Sequence, residues 1–97
     1  MLGVIFIKVV INEKAKKLLK ENQRDIIVEL KGWNNWNCST ELKPSVSIGT
    51  PKNTNAFDFF EVEKYNIYVS RMIPEDAFVE ISSANFYGLD YLIAYIK

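Results

Sequence analysis

The residues best suited to chemistry lie together in the segment GWNNWNCST, residues 32–40. It contains both tryptophans of the chain, Trp33 and Trp36, and its one cysteine, Cys38. A cysteine thiolate can ligate a metal or act in redox chemistry, and two nearby indoles can stack on a flat ligand or anchor a protein partner. Residues 32–40 are therefore the predicted site, with Cys38 as the candidate metal ligand and Trp33 and Trp36 as candidate partner-binding residues.

Both features also have a purely structural explanation. A free cysteine often packs as a small buried hydrophobe, and the sequence places no cation or helix N-terminus next to Cys38 to activate its thiol. One or both tryptophans can fold back over a small core, as large aromatic side chains commonly do. The segment is rich in turn-forming residues, which predicts a loop after a strand.

The chain contains no histidine. This excludes histidine acid–base catalysis, Ser-His and Cys-His nucleophilic pairs and histidine metal ligands. The carboxylates of the middle of the chain are scattered through predicted strands and turns, which is typical of solvent-facing charges, and residues 49–55 lack a phosphate-binding glycine pattern. The scattered carboxylates are Asp58, Glu61, Glu63, Glu75 and Asp76. We therefore predict a protein that is not an enzyme.

Length, charge and cysteine content limit the number of domains, the kinds of partner and the location of the protein. The 97 residues predict one domain, 1–97, and 12 basic residues balance 12 acidic ones. A chain with no net charge is not expected to bind nucleic acid. Lysines 14, 16, 17 and 20 are expected to form a solvated helix face. One cysteine excludes an internal disulfide and favours a cytoplasmic location. The apolar start MLGVIFIKVVI is too short for a membrane span and lacks signal-peptide features, so no membrane association is predicted.

The N-terminal third predicts a strand, a helix and a second strand. Residues 3–11 are β-branched and aromatic, as in strands. Asn12 is a suitable N-cap for a helix running to about Asn22, whose apolar positions follow the helical period. The core-facing residues of this helix are predicted to be Ala15, Leu18 and Leu19. Residues 26–31 predict the second strand.

The rest of the chain predicts short strands separated by turns. Pro44 indicates an edge position or a bend at the start of the strand at 42–48. Residues 86–96 fit a strand or a helical stripe, and the alternation at 91–96 favours the strand. The remaining elements are a loop at 49–55, a hairpin of 56–62 with 67–70, a turn or a single helical turn at 72–77 and a strand at 78–83. The predicted fold class is α+β, mostly β, with one N-terminal helix.

The order of these elements resembles the HesB-like fold of the A-type iron–sulfur carriers. The resembling stretches are a first strand followed by INEKAKKLLKEN, then DIIVELKG leading to a glycine and a cysteine, then FFEVEKYNIYVSRMIPE, and then FVEISSANFYGLDYLIAY. They cover nearly the whole chain. The resemblance implies a small HesB-like sandwich.

A closer resemblance is to small HesB-like proteins, some of them selenoproteins, that carry a Cys-Cys or selenocysteine-containing pair. Here the pair corresponds to Asn37-Cys38. The carriers have three cysteines, and only Cys38 is kept, because residues 84–97 contain none. One thiolate cannot hold a cluster alone.

The resemblance therefore implies a non-catalytic, degenerate relative of the carriers, without a cofactor. One alternative is an iron–sulfur or metal-binding protein that uses Cys38 across a homo-oligomer. Another is a protein-interaction module anchored by Trp33 and Trp36.

Overall fold

The fold is mostly β, with two mixed sheets and one short α-helix in the part of the chain that the structure describes. The structure is a computed structural model that describes residues 7–34 and 40–97, with backbone alone at 33, 34, 40 and 41. The predicted α+β, mostly-β class with an N-terminal helix is confirmed. The elements are β1 (Lys8–Ile11), α1 (Glu13–Leu18), β2 (Asp25–Asn34), β3 (Thr40–Ile48), a 3-10 turn (Thr54–Ala56), β4 (Phe57–Val62), β5 (Tyr65–Ser70), β6 (Phe78–Phe86) and β7 (Leu89–Ile96).

Each sheet combines parallel and antiparallel pairs. The three-stranded sheet has the order β1-β6-β7, with β1 parallel to β6 and β7 antiparallel to it. The four-stranded sheet has the order β3-β2-β5-β4, and its central pair, β2 and β5, is parallel. The parallel pairs join strands that are distant in sequence, so local patterns did not predict them. The hairpin of β4 and β5 and the strand at the C-terminus are confirmed.

One buried core lies between the two sheets. Buried and less buried residues alternate along β5, as the two faces of a strand require, so that Tyr65, Ile67 and Val69 point inward. Side chains from β1, β6 and β7 join them in the same cluster. At the sheet margins, β3 contacts β7 and β1 contacts β4. The most completely buried large side chains are Ile26, Val28, Ile67, Val69, Ile73, Val79 and Ile81.

Asn12 fixes the start of the helix, as predicted. Its side-chain oxygen accepts a hydrogen bond from the Ala15 N–H at 3.1 Å, which caps the first turn. Its side-chain amide donates to Glu80 Oε2 at 3.1 Å, and its backbone N–H donates to the Ile81 carbonyl at 2.9 Å. Asn12 therefore joins the end of β1, the start of α1 and the middle of β6.

The helix is shorter than predicted, because it ends at Leu18 and not near Asn22. Leu19 is already extended, with φ −75° and ψ 131°. Beyond it, the Lys20 N–H donates to the side-chain oxygen of Gln23 at 2.9 Å, and the Gln23 N–H donates to the Lys20 carbonyl at 2.9 Å. This local pair of bonds replaces a further helical turn. Ala15 and Leu19 are buried, while Leu18 is half-buried.

Candidate functional site

The predicted site at 32–40 falls partly outside the described residues. Trp36 and Cys38 lie in the segment 35–39, which the structure does not describe, so their predicted roles stay predictions. Trp33 was predicted in a loop, and this is wrong: its backbone lies on β2 and pairs with Glu41 of β3. Tryptophan favours strands, and the antiparallel ladder continues to the pair Asn34 and Thr40 despite the turn-forming composition. Residues 35–39 therefore link the ends of two paired strands.

The scattered carboxylates form ion pairs or face solvent within the described ranges. The Asp58 carboxylate lies 3.3 Å from Arg71 Nε, and Asp58 shares the inward face of β4 with Phe60, as the strand alternation predicts. Glu61 is exposed on the other face, and Glu75 and Asp76 are also exposed. Among the residues that the structure describes, no group of three side chains suitable as metal ligands occurs.

Lys16 links the helix to the turn between β4 and β5. Its Nζ lies 2.8 Å from the carboxylate of Glu63 and 3.3 Å from that of Glu13. The hydrogen bond to Glu63, with a smaller contribution from Glu13, raises the pKa of Lys16 above 10.5. Glu63 itself has a left-handed backbone, with φ 55°. The ion pair thus holds a strained turn residue against α1.

The most exposed apolar surface of the described residues lies at the turn of the β6–β7 hairpin. We call Phe86, Tyr87, Leu89 and Tyr91 the hairpin end. Tyr87 is 90% exposed and Leu89 is 73% exposed, and Phe86 and Tyr91 are also exposed. The rings of Phe86 and Tyr87 meet edge to face, with centroids 4.4 Å apart. Clustered exposed apolar side chains are typical of protein interaction sites.

The turn places Tyr87 in an unfavourable backbone conformation. Phe86 pairs with Leu89, so Tyr87 and Gly88 form a two-residue turn. Both have positive φ, 51° and 81°, as a type I′ turn requires. Glycine and asparagine adopt this region readily, whereas a tyrosine does so at a cost. Asn85 braces the turn: its side-chain amide donates to Asp90 Oδ1 at 2.8 Å, and its oxygen accepts from the Gly88 N–H at 3.2 Å.

A groove runs from the first residues of β7, next to this turn, to the end of the helix. We call it the α1–β3–β7 groove, and its volume is about 360 Å³. Leu18, Val46 and Leu92 are half-buried in its lining, and Lys20, Asp90 and Tyr91 also line it. Tyr91 belongs to both the groove and the hairpin end, so the two surfaces are continuous. The groove lies at the Ile48 end of β3.

Three lysines of the helix region border this surface. Lys14 and Lys17 line a smaller groove of about 250 Å³ with Leu18, Ser83 and Asp90, and Lys20 lines the α1–β3–β7 groove. We call Lys14, Lys17 and Lys20 the basic face. All three are exposed, and none forms an ion pair with a carboxylate of the described part of the chain. The sequence predicted a solvated basic face here but not its position beside exposed aromatic residues.

The hairpin end is not among the sites that the sequence predicts. The sequence FYGL nevertheless indicates an unusual turn, because large apolar residues flank a glycine where hairpin turns usually carry polar ones. It was not recognised because these residues also suit a buried strand or helix. As for membranes, no helix within 7–34 and 40–97 combines the length and the apolar character that crossing a bilayer requires.

Comparison with known proteins places the chain in a family. No curated protein and no solved structure matches it. The family model described as "CC/Se motif containing family" matches residues 7–97, which is nearly the whole chain. The matched range includes Cys38, which follows Asn37 and not a second cysteine. The chain therefore belongs to the CC/Se motif containing family.

Proposed function

We propose that this protein is a non-catalytic protein-binding module whose contact surface is the hairpin end. The observation that carries the proposal is Tyr87, an aromatic side chain that is 90% exposed on a left-handed backbone. Folding gains little from an aromatic residue in that place, and an asparagine or glycine would suit the turn better. Backbone strain that stability does not require is characteristic of functional positions.

Site-specific photo-crosslinking tests this function. A photoreactive phenylalanine analogue is placed at position 87 and, as a matched control, at position 59. Phe59 is also exposed, at 56%, but lies on the outer face of β4 against Tyr68. In cells of the native host, we expect a discrete crosslinked protein from position 87 and none from position 59. Equal labelling from both positions, or none from 87, would contradict the proposal.

We further propose that the fold is HesB-like and that the protein is a degenerate relative of the A-type iron–sulfur carriers. Support comes from the order of strand, helix, strand and hairpins along the chain, and from a family description that names a CC/Se motif. An experimental structure provides the test. A strand order different from that of the carriers would refute the relationship.

A second candidate function is metal or iron–sulfur binding by Cys38 across a homo-oligomer. It is favoured because the family match includes Cys38 and because residues 35–39 connect two paired strand ends, Asn34 and Thr40. Anaerobic purification with iron, sulfide and zinc analysis tests it, with molar mass measured by light scattering. We expect metal in an oligomer and its loss in Cys38→Ser. A colourless, metal-free protein that cannot be reconstituted would rule this candidate out.

A further inference from the structure

The surface beside the hairpin end combines apolar side chains with lysines that form no ion pair within the described ranges. The α1–β3–β7 groove offers a concave apolar lining, and the basic face lies along its helix side. Asp90 is the one acidic residue among the described lining residues, and its Oδ1 already accepts a hydrogen bond from Asn85. The described lining of the two grooves therefore carries the three ammonium groups of Lys14, Lys17 and Lys20 against the one carboxylate of Asp90.

Helix stability does not account for all of this charge. A lysine in the last turn, such as Lys17, interacts favourably with the negative end of the helix dipole. Lys14 is in the first turn, where the dipole disfavours a cation. Lys16, on the same helix, is paired with Glu63 and Glu13, whereas the basic face has no such partner in the described residues. The arrangement thus leaves a positive rim available to a partner.

Resting on the function proposed above, we infer that the partner presents an acidic peptide segment with an apolar anchor. The anchor, a leucine or an aromatic residue, enters the α1–β3–β7 groove and packs against Leu18, Val46 and Leu92. Flanking carboxylates meet Lys17 and Lys20, and the hairpin end packs over the bound segment. The concave groove favours a peptide over a lipid surface, because a side chain can fill it and a flat membrane cannot.

Fluorescence anisotropy tests this inference with a defined probe. The probe is a short fluorescein-labelled peptide with a central Leu-Phe pair between runs of aspartate and glutamate. One control peptide replaces the acids by lysine, and another replaces the Leu-Phe pair by serine. We expect the acidic apolar probe to bind best, and its affinity to fall as the NaCl concentration rises from about 0.05 M to about 0.5 M.

Charge reversal locates the binding surface. The double variant Lys17→Glu/Lys20→Glu should weaken probe binding about tenfold, because two exposed attractions become repulsions. The control Lys52→Glu reverses an exposed charge of the loop before the 3-10 turn and should leave binding unchanged. Far-ultraviolet circular dichroism establishes that each variant is folded. Equal binding of the acidic and basic probes, or no effect of the double reversal, overturns the inference.

Two further outcomes separate this inference from the function on which it rests. A protein crosslinked at position 87, together with no preference for the acidic probe, keeps the binding function and overturns the acidic partner. Binding to vesicles of phosphatidylcholine with phosphatidylserine is measured in a separate experiment. Tight vesicle binding that Tyr87→Asn abolishes would overturn the inference in favour of a membrane surface.

Discussion

Replacing Tyr87 by asparagine should make the protein more stable. A non-glycine residue in the left-handed region costs about 1–2 kcal/mol, and asparagine recovers about 1 kcal/mol of this. The variant also carries Asn-Gly, the preferred sequence for a type I′ turn. It loses the edge-to-face contact with Phe86, worth about 0.5 kcal/mol for so exposed a pair. Little burial is lost, because Tyr87 is 90% exposed. The net gain is about 0.5 kcal/mol, which corresponds to a rise in Tm of about 2–4 °C.

Thermal and urea unfolding followed by far-ultraviolet circular dichroism measure this change. The matched control is Tyr95→Asn, the same substitution on β7 at a residue that lacks a positive φ. It should lower stability by about 0.5–1 kcal/mol, because asparagine is a poor strand former. A fall in Tm for Tyr87→Asn, similar to that of the control, would refute the idea that Tyr87 is strained. The same Tyr87→Asn variant should bind the acidic probe more weakly than the wild type does.

Three further predictions test the fold. Ile81→Ala removes a fully buried side chain and should lower the free energy of unfolding by about 2–5 kcal/mol in urea titration; a loss below about 1 kcal/mol would contradict its central place. Asn12→Ala should cost about 1 kcal/mol, whereas Asn53→Ala, which removes no side-chain cap, should cost little, and equal losses would argue against the cap. At pH values below 10.5, Lys16→Gln should lower Tm, because the charged Lys16 side chain, whose pKa is raised by Glu63, stabilises the fold. That difference in Tm should shrink as pH rises through the higher folded-state pKa, and a constant difference would contradict the ion pair with Glu63.

Local sequence patterns predicted the positions of helices and strands more successfully than the ends of these elements or the pairing of the strands. Asn12 marked the helix start because an N-cap depends on a hydrogen bond to a residue three positions away. The helix end was missed because the pair of bonds between Lys20 and Gln23 competes with another helical turn. Trp33 was assigned to a loop because asparagines surround it, whereas pairing with β3 keeps it in a strand.

The candidate sites differ in the same way, because one could be predicted from residue types and the other depends on tertiary packing. Residue types alone predict Cys38 as a candidate site, since rare residues with reactive or aromatic side chains can be recognised in the sequence. The hairpin end contains ordinary apolar residues, and only their exposure distinguishes them from core residues. Exposure results from the packing of the whole chain, so a strand pattern alone cannot supply it.

The sequence by itself determined the mostly-β class, the helix cap, the β4–β5 hairpin and the exclusion of histidine chemistry. These depend on composition or on residues close together in the chain. The tertiary structure alone decided the parallel pairing of β1 with β6 and of β2 with β5, which joins distant segments. It also brought the basic face, which lies on α1 and just after it, beside the aromatic turn of β6 and β7. That juxtaposition arises because both elements pack on one core, and it carries the proposed binding surface.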